Sequence, residues 1–133
     1  MLHPQNYRIL VVDDNPDILF LLETVLTGEG YAVEVASNGR SALAKIATSR
    51  PDLVLLDVMM PGMDGYEVTQ QLRQHPQLPA IPIILLTAYA EVDMVKGLDI
   101  GGDIFLRKPL DEAVLLARIR ALLRFQDRIE GRK

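Results

Sequence analysis

The sequence predicts an α/β fold: a single doubly wound, five-stranded parallel sheet of order 2-1-3-4-5 with five helices. Three observations carry this expectation. Ile9–Val12, Leu53–Leu56 and Ile83–Leu86 are unbroken apolar runs, as strands covered on both faces require, whereas a half-wet strand would alternate. Segments with apolar residues three and four apart separate the runs, so strand and helix alternate as in right-handed βαβ units. A chain of 133 residues, 49% hydrophobic, is enough for one domain with a real core.

Each element has its own local cause. Met1–Asn6 reads as an extension ahead of the domain, with no basic region followed by an apolar stretch and hence no signal peptide. Ile9–Val12 is the first strand. Asp14-Asn15-Pro16 can open a helix whose apolar face is Ile18, Leu22, Val25 and Leu26, ending at Gly28 and Gly30. Ala32–Ala36 alternates weakly and, with the charge of Glu34, suits an edge strand. Asn38 caps a second helix carrying Ala42, Leu43, Ile46 and Ala47, which stops before Pro51.

Leu53–Leu56 leads into Asp57, and a loop from Met59 to Gly65 precedes a third helix with Tyr66, Val68 and Leu72 inward. His75–Ala80 is a proline-punctuated return to the sheet and to the fourth strand, Ile83–Leu86. The fourth helix, Glu91–Leu98, is short, has a narrow apolar face and is expected to be mobile. Ile104–Leu106 is the fifth strand. The fifth helix starts near Asp111, buries Val114, Leu115, Ile119, Leu122 and Leu123, and continues past Phe125.

Composition narrows the function classes. A net charge of −4 argues against a general nucleic-acid binder, and the absence of cysteine removes disulfides, thiolate nucleophiles and cysteine-ligated metals. No apolar run approaches the ~20 residues of a membrane span. The expectation is therefore a cytoplasmic domain with no membrane contact and no direct nucleic-acid contact.

What remains is the coincidence at the strand ends. The first strand runs into Asp13-Asp14, the third into Asp57, the fourth into Thr87, and the fifth, after Arg107, into Lys108-Pro109. Parallel strands bring these residues to one sheet edge, where open α/β sheets hold ligands. Two carboxylates about 4 Å apart repel by roughly 4 kcal/mol at an effective dielectric near 20, so such a cluster wants a cation. Oxygen-only ligands in small number favour Mg²⁺ over a caged Ca²⁺. Asp57 is placed to attack phosphorus, Lys108 to neutralise a phosphoryl oxygen and Thr87 to donate a hydrogen bond to another.

On Val11-Val12-Asp13-Asp14, Leu56-Asp57-Val58-Met59-Met60-Pro61-Gly62-Met63-Asp64-Gly65, Leu86-Thr87-Ala88 and Lys108-Pro109, the chain resembles the receiver domains of two-component response regulators over residues 7–125. The resemblance implies a flavodoxin-like fold and a phosphorylation-activated switch. Asp57 would accept a phosphoryl group from a histidine kinase or histidine phosphotransfer protein. Asp13, Asp14, Asp57 and the Met59 backbone carbonyl would hold Mg²⁺, and Lys108 would bind the phosphoryl group. Thr87 and Phe105 would be the switch pair that reshapes the face of the fourth helix, fifth strand and fifth helix. Lys108-Pro109 resembles the family's cis peptide. Ile104 departs from the family, which commonly has an acidic residue there. Met59 and Tyr89 occupy positions that vary in the family and tune dephosphorylation, and their bulk implies a slowly hydrolysed phosphoryl group. Tyr89→Ala is accordingly expected to speed loss of the phosphoryl group, and an equal decay rate would discard that reading.

Two other classes fit less well. Phosphatases of the haloacid dehalogenase type place a second aspartate two residues after the nucleophile, where this chain has Met59, and a docking module without phosphorylation would not need every chemical position filled. The protein is therefore expected to catalyse only its own aspartyl phosphorylation and dephosphorylation. His3 and His75 lie in polar, proline-flanked segments and read as solvated. From Leu110 to Lys133, five arginines and one lysine face two aspartates and two glutamates. They suit a solvated helix end that complements the helix dipole. Residues 126–133 are read as an extension of the fifth helix or a linker. A homodimer through the extended helix, or through the face of the fourth helix, fifth strand and fifth helix, is the alternative.

Overall fold

The structure is a computed structural model and describes residues 3–78, 80–88, 95–96 and 99–130. Its five strands are β1 (Arg8–Val12), β2 (Ala32–Ala36), β3 (Leu53–Asp57), β4 (Ile83–Thr87) and β5 (Ile104–Arg107). They form one sheet in the order β2-β1-β3-β4-β5, every pair parallel. This is the expected topology, with the direction of winding reversing beside β1 and β3.

The helices are α1 (Pro16–Gly28), α2 (Gly39–Thr48), α3 (Gly65–Gln74) and the C-terminal α4 (Glu112–Glu130). The helix expected at Glu91–Leu98 falls mostly outside the described residues; Val95 and Lys96, and beyond them Asp99 and Ile100, are helical. A short 3-10 turn, Pro4–Asn6, precedes β1.

The apolar runs are buried as two-sided strands must be. β3 and β4 are buried at every position, and their alternate residues feed opposite layers. Leu53, Leu55, Ile84 and Leu86 pack with Leu19, Leu22 and Leu26 of α1 and with Leu115, Leu116, Ile119 and Leu123 of α4. Val54, Leu56, Ile83 and Leu85 pack with Ala42 and Ile46 of α2 and with Tyr66, Val68 and Leu72 of α3. Each such leucine, isoleucine or valine contributes roughly 1.5–3 kcal/mol when removed from water.

Helix starts follow side-chain chemistry. Asn15 accepts from the Asp17 amide, Asn38 from Ser41, Asp64 from Glu67 and Asp111 from Val114, each replacing a partner the first helical turn lacks. Asn38→Ala is expected to cost about 1 kcal/mol, readable as a lower urea midpoint without a change in slope.

Three packing expectations need correction. Leu19, absent from the predicted α1 stripe, is buried, whereas Ile18 and Val25 are only partly buried and flank it. Ala47 is exposed on α2. Val114 is 43% exposed, because α4 meets the sheet through Leu115, Leu116, Ile119 and Leu123 instead.

The end of α4 is held against the sheet's amino edge. Tyr7 Oη donates to Asp127 Oδ2, and Gln126 Nε2 donates to the Ala80 carbonyl at 3.0 Å. At the outer side of the edge strand β2, Lys45 Nζ donates to the Val35 carbonyl, occupying an acceptor that another strand would otherwise seek.

Candidate functional site

Register brings the acids together. Val12 pairs with Leu56, so the next residues, Asp13 and Asp57, emerge side by side where the strands end. Val11 and Leu55 face the α1–α4 layer, and alternation puts Asp13 and Asp57 on that same side. Leu106 of β5 also faces it, so Lys108 arrives from the far strand on the acids' side. The Lys108 amide donates to the Thr87 carbonyl at 2.7 Å, and the Lys108-Pro109 peptide is cis as expected.

Lys108 Nζ lies 3.0 Å from Asp13 Oδ2 and 3.0 Å from Asp57 Oδ1. Asp13 is 1% exposed and Asp57 4%. Asp13 also accepts from the Asn15 amide through Oδ1 at 2.9 Å. Asp14 is exposed, yet one oxygen from each of Asp13, Asp14 and Asp57 lies within 4.8 Å of the others. These acids open into a cleft of about 240 Å³ that Asn15, Ile18, Met59, Ala88 and Lys108 also line.

Burial raises the Asp57 carboxyl above its ordinary range; the Lys108 hydrogen bond opposes this, and the Asp13 charge adds to it. Burial alone would lower Lys108, but hydrogen bonds to Asp13 and Asp57 outweigh it and raise the ammonium. Both shifts describe one state: a single cation shared by two buried acids, secure in its own charge but insufficient to offset the burial of Asp57.

Thr87 and Phe105 stand apart from this cluster. Thr87 is fully buried and does not line the cleft, whereas the adjacent Ala88 does. β4 and β5 pair Leu85 with Phe105 and Thr87 with Arg107, and Leu85 faces the α2–α3 layer. Thr87 and the half-buried Phe105 therefore share the face opposite the acids. Tyr89 lies outside the described residues, and Met59 exposes 55% of its surface at the cleft.

Gly65 is the contributor that the sequence reading treated only as part of a loop. Its amide donates to the Val58 carbonyl at 2.9 Å, and a Cβ there would stand 2.4 Å from the Asp57 carbonyl oxygen. The Asp64-Gly65 dipeptide was the available signal, but a turn signal does not reveal which backbone lies against the glycine.

A family model for the response regulator receiver domain matches residues 9–120. The chain belongs to this family. As a receiver domain it is 48% identical over 120 residues to response regulator PleD of Caulobacter vibrioides, covering 90% of this chain and 26% of that protein. It is 50% identical over 126 residues to the probable transcriptional regulator ycf27 of Pyropia yezoensis, covering 94% and 51%. The chain thus spans about a quarter to a half of the curated relatives named here. Among solved structures, a CheY-like receiver domain protein of Methanospirillum hungatei superposes with a TM-score of 0.86 at 34% identity, covering 92% of this chain and 97% of that one. The receiver domain of a signal transduction histidine kinase from Syntrophus aciditrophicus gives 0.83 at 40% identity, covering 88% and 89%. No helix among the described residues of this receiver domain is long and apolar enough to cross a membrane.

Proposed function

We propose that the protein is a phosphorylation-activated signalling switch in which Asp57 accepts a phosphoryl group from a histidine kinase or histidine phosphotransfer protein. The observation that carries this reading is Lys108 Nζ held 3.0 Å from both Asp13 and Asp57 at the edge of a cleft. An Asp57 carboxylate oxygen attacks phosphorus, the new P–O bond forms as the P–N bond of phosphohistidine breaks, and the departing imidazole takes a proton. Lys108, an ammonium with three N–H donors held between the acids, turns one of them to a phosphoryl oxygen. Thr87 would have to rotate toward the cleft to donate to a second oxygen. Phe105, on the same sheet face, would then repack and reshape the surface of the segment between β4 and β5, β5 itself and α4.

The all-oxygen donor set fits Mg²⁺. One carboxylate oxygen from each of Asp13, Asp14 and Asp57 lies within 4.8 Å of the others, a cluster of hard donors that suits a hard divalent cation. Asp13, Asp14, Asp57 and the Met59 carbonyl would hold it. When bound, the ion would neutralise charge on the phosphoryl oxygens.

A cytoplasmic domain that acts through protein contacts, as a homodimer or on an output domain of a longer protein, completes the reading. One relative's name supports the output-domain part of this reading: PhoP of Bacillus subtilis, 47% identical over 120 residues that cover 49% of that protein, is an alkaline phosphatase synthesis transcriptional regulatory protein. Intact-mass analysis after incubation with acetyl phosphate and Mg²⁺ provides the test. One phosphoryl group per chain, not formed when EDTA is present from the start, is the expected result. Steady turnover of a small phosphate ester would instead indicate a phosphatase, and no modification at all would leave only docking.

A further inference from the structure

We propose that Lys96 is a positioning residue that holds the acceptor site in its unmodified arrangement through the ring of Tyr66, an inference that rests on Asp57 being the phosphoacceptor. Lys96 Nζ stands 4.6 Å from the centroid of the Tyr66 ring, within cation–π range. Lys96 is exposed, takes part in none of the ion pairs among the described residues, and has the ring as its partner. Tyr66 is 6% exposed and packs in the layer that holds Val58 and Met60, residues that follow Asp57.

Tyr66 also follows Gly65, which leaves almost no space against the Asp57 backbone. With the Gly65 amide donating to the Val58 carbonyl, a displacement at the end of β3 passes to Gly65 and then to Tyr66. Lys96 carries it into the segment joining β4, which bears Thr87, to β5, which bears Phe105. Phe105 packs against the same layer as Tyr66. The contact therefore connects the residue that changes chemically with the segment between the two switch positions.

The proposal takes the contact to be weakened when Asp57 is modified; it then favours the unmodified state, and removing it favours the phosphoryl-like one by the difference in the contact between the two states. Titration of the full chain with beryllofluoride in the presence of Mg²⁺ measures this. Lys96→Met is expected to bind about two- to fivefold more tightly than wild type, the range an exposed cation–π contact allows, and Lys96→Arg to return to the wild-type value. A Lys96→Met dissociation constant equal to or weaker than wild type would overturn the proposal, even with a lower urea midpoint, because the contact would then be structural only. Arg behaving like Met would overturn it as well. Absence of beryllofluoride binding in all three proteins would instead remove the phosphoacceptor reading itself, and the inference with it.

Discussion

Asp57→Asn is expected to abolish phosphoryl acceptance from acetyl phosphate completely and, at neutral pH, to raise the thermal midpoint. The second half follows from the electrostatics of the cleft. Burial is the largest influence on the Asp57 carboxyl and raises it, the Lys108 hydrogen bond lowers it, and Asp13 raises it again, leaving the carboxyl above its ordinary range. A carboxyl held above its unfolded value of about 3.9 binds its proton more tightly in the folded chain. Its contribution is therefore most favourable at low pH and is lost as pH rises from about 4 through the raised value. Above that window the folded state bears the whole penalty, roughly 1.4 kcal/mol for every tenfold gain in proton affinity. Asparagine removes the charge and leaves Lys108 paired with Asp13. Melting curves near pH 4 and pH 7.5 should show the variant's advantage only at the higher value. A variant that melts below wild type at neutral pH would mean that the Lys108 pair outweighs burial.

The second large effect is expected at Gly65. An alanine there would ordinarily favour the first turn of α3 by roughly 1 kcal/mol. Here its Cβ would stand 2.4 Å from the Asp57 carbonyl oxygen and 2.9 Å from Val58 Cα, and backbone cannot rotate away as a side-chain tip can. Gly65→Ala should therefore lose about 2 kcal/mol of stability, in the range of overpacked sites, and should weaken beryllofluoride binding because Asp57 is displaced. Gly28→Ala is the control. Nothing lies within 4 Å of a Cβ at that helix end, so a neutral or slightly stabilising result is expected. Equal urea midpoints for the two variants would remove the argument that Gly65 is set against the end of β3.

The strands, their order and the meeting of Asp13, Asp57 and Lys108 were legible because each is a one-dimensional signal. A buried run ends in a polar residue, and parallel register carries those ends to one edge. The face of Thr87 was equally open to counting, since Leu85 and Thr87 are two apart, but only the observed layers show that this side is opposite the acids. Leu19 and Val114 were misjudged for a common reason. A helical stripe fixes neighbours along the helix, whereas the rotation of that helix on the sheet depends on partners far away in sequence. Gly65 and Tyr66–Lys96 lay beyond sequence reasoning because each is a contact between segments whose spacing no local propensity encodes. The tail of α4 belongs with them: its arginines are the conspicuous residues in the sequence, yet Gln126 and Asp127 make the contacts.

Those two side chains give the helix a fixed bearing. Terminal turns normally fray, and their amides exchange with solvent almost as fast as an unfolded chain's. Here the last turns are moored to Tyr7 and Ala80 at the pole of the molecule opposite Asp57, about 17 Å away along a five-residue strand. Deuterium uptake near Asp127 should accordingly be as slow as in the sheet, and Tyr7→Phe should quicken it there while the acids keep their geometry. The helix then works as a rigid spar some 28 Å long, from its 19 residues, whose heading is set at one pole and whose root, at Glu112 and Leu115, lies beside Lys108 at the other.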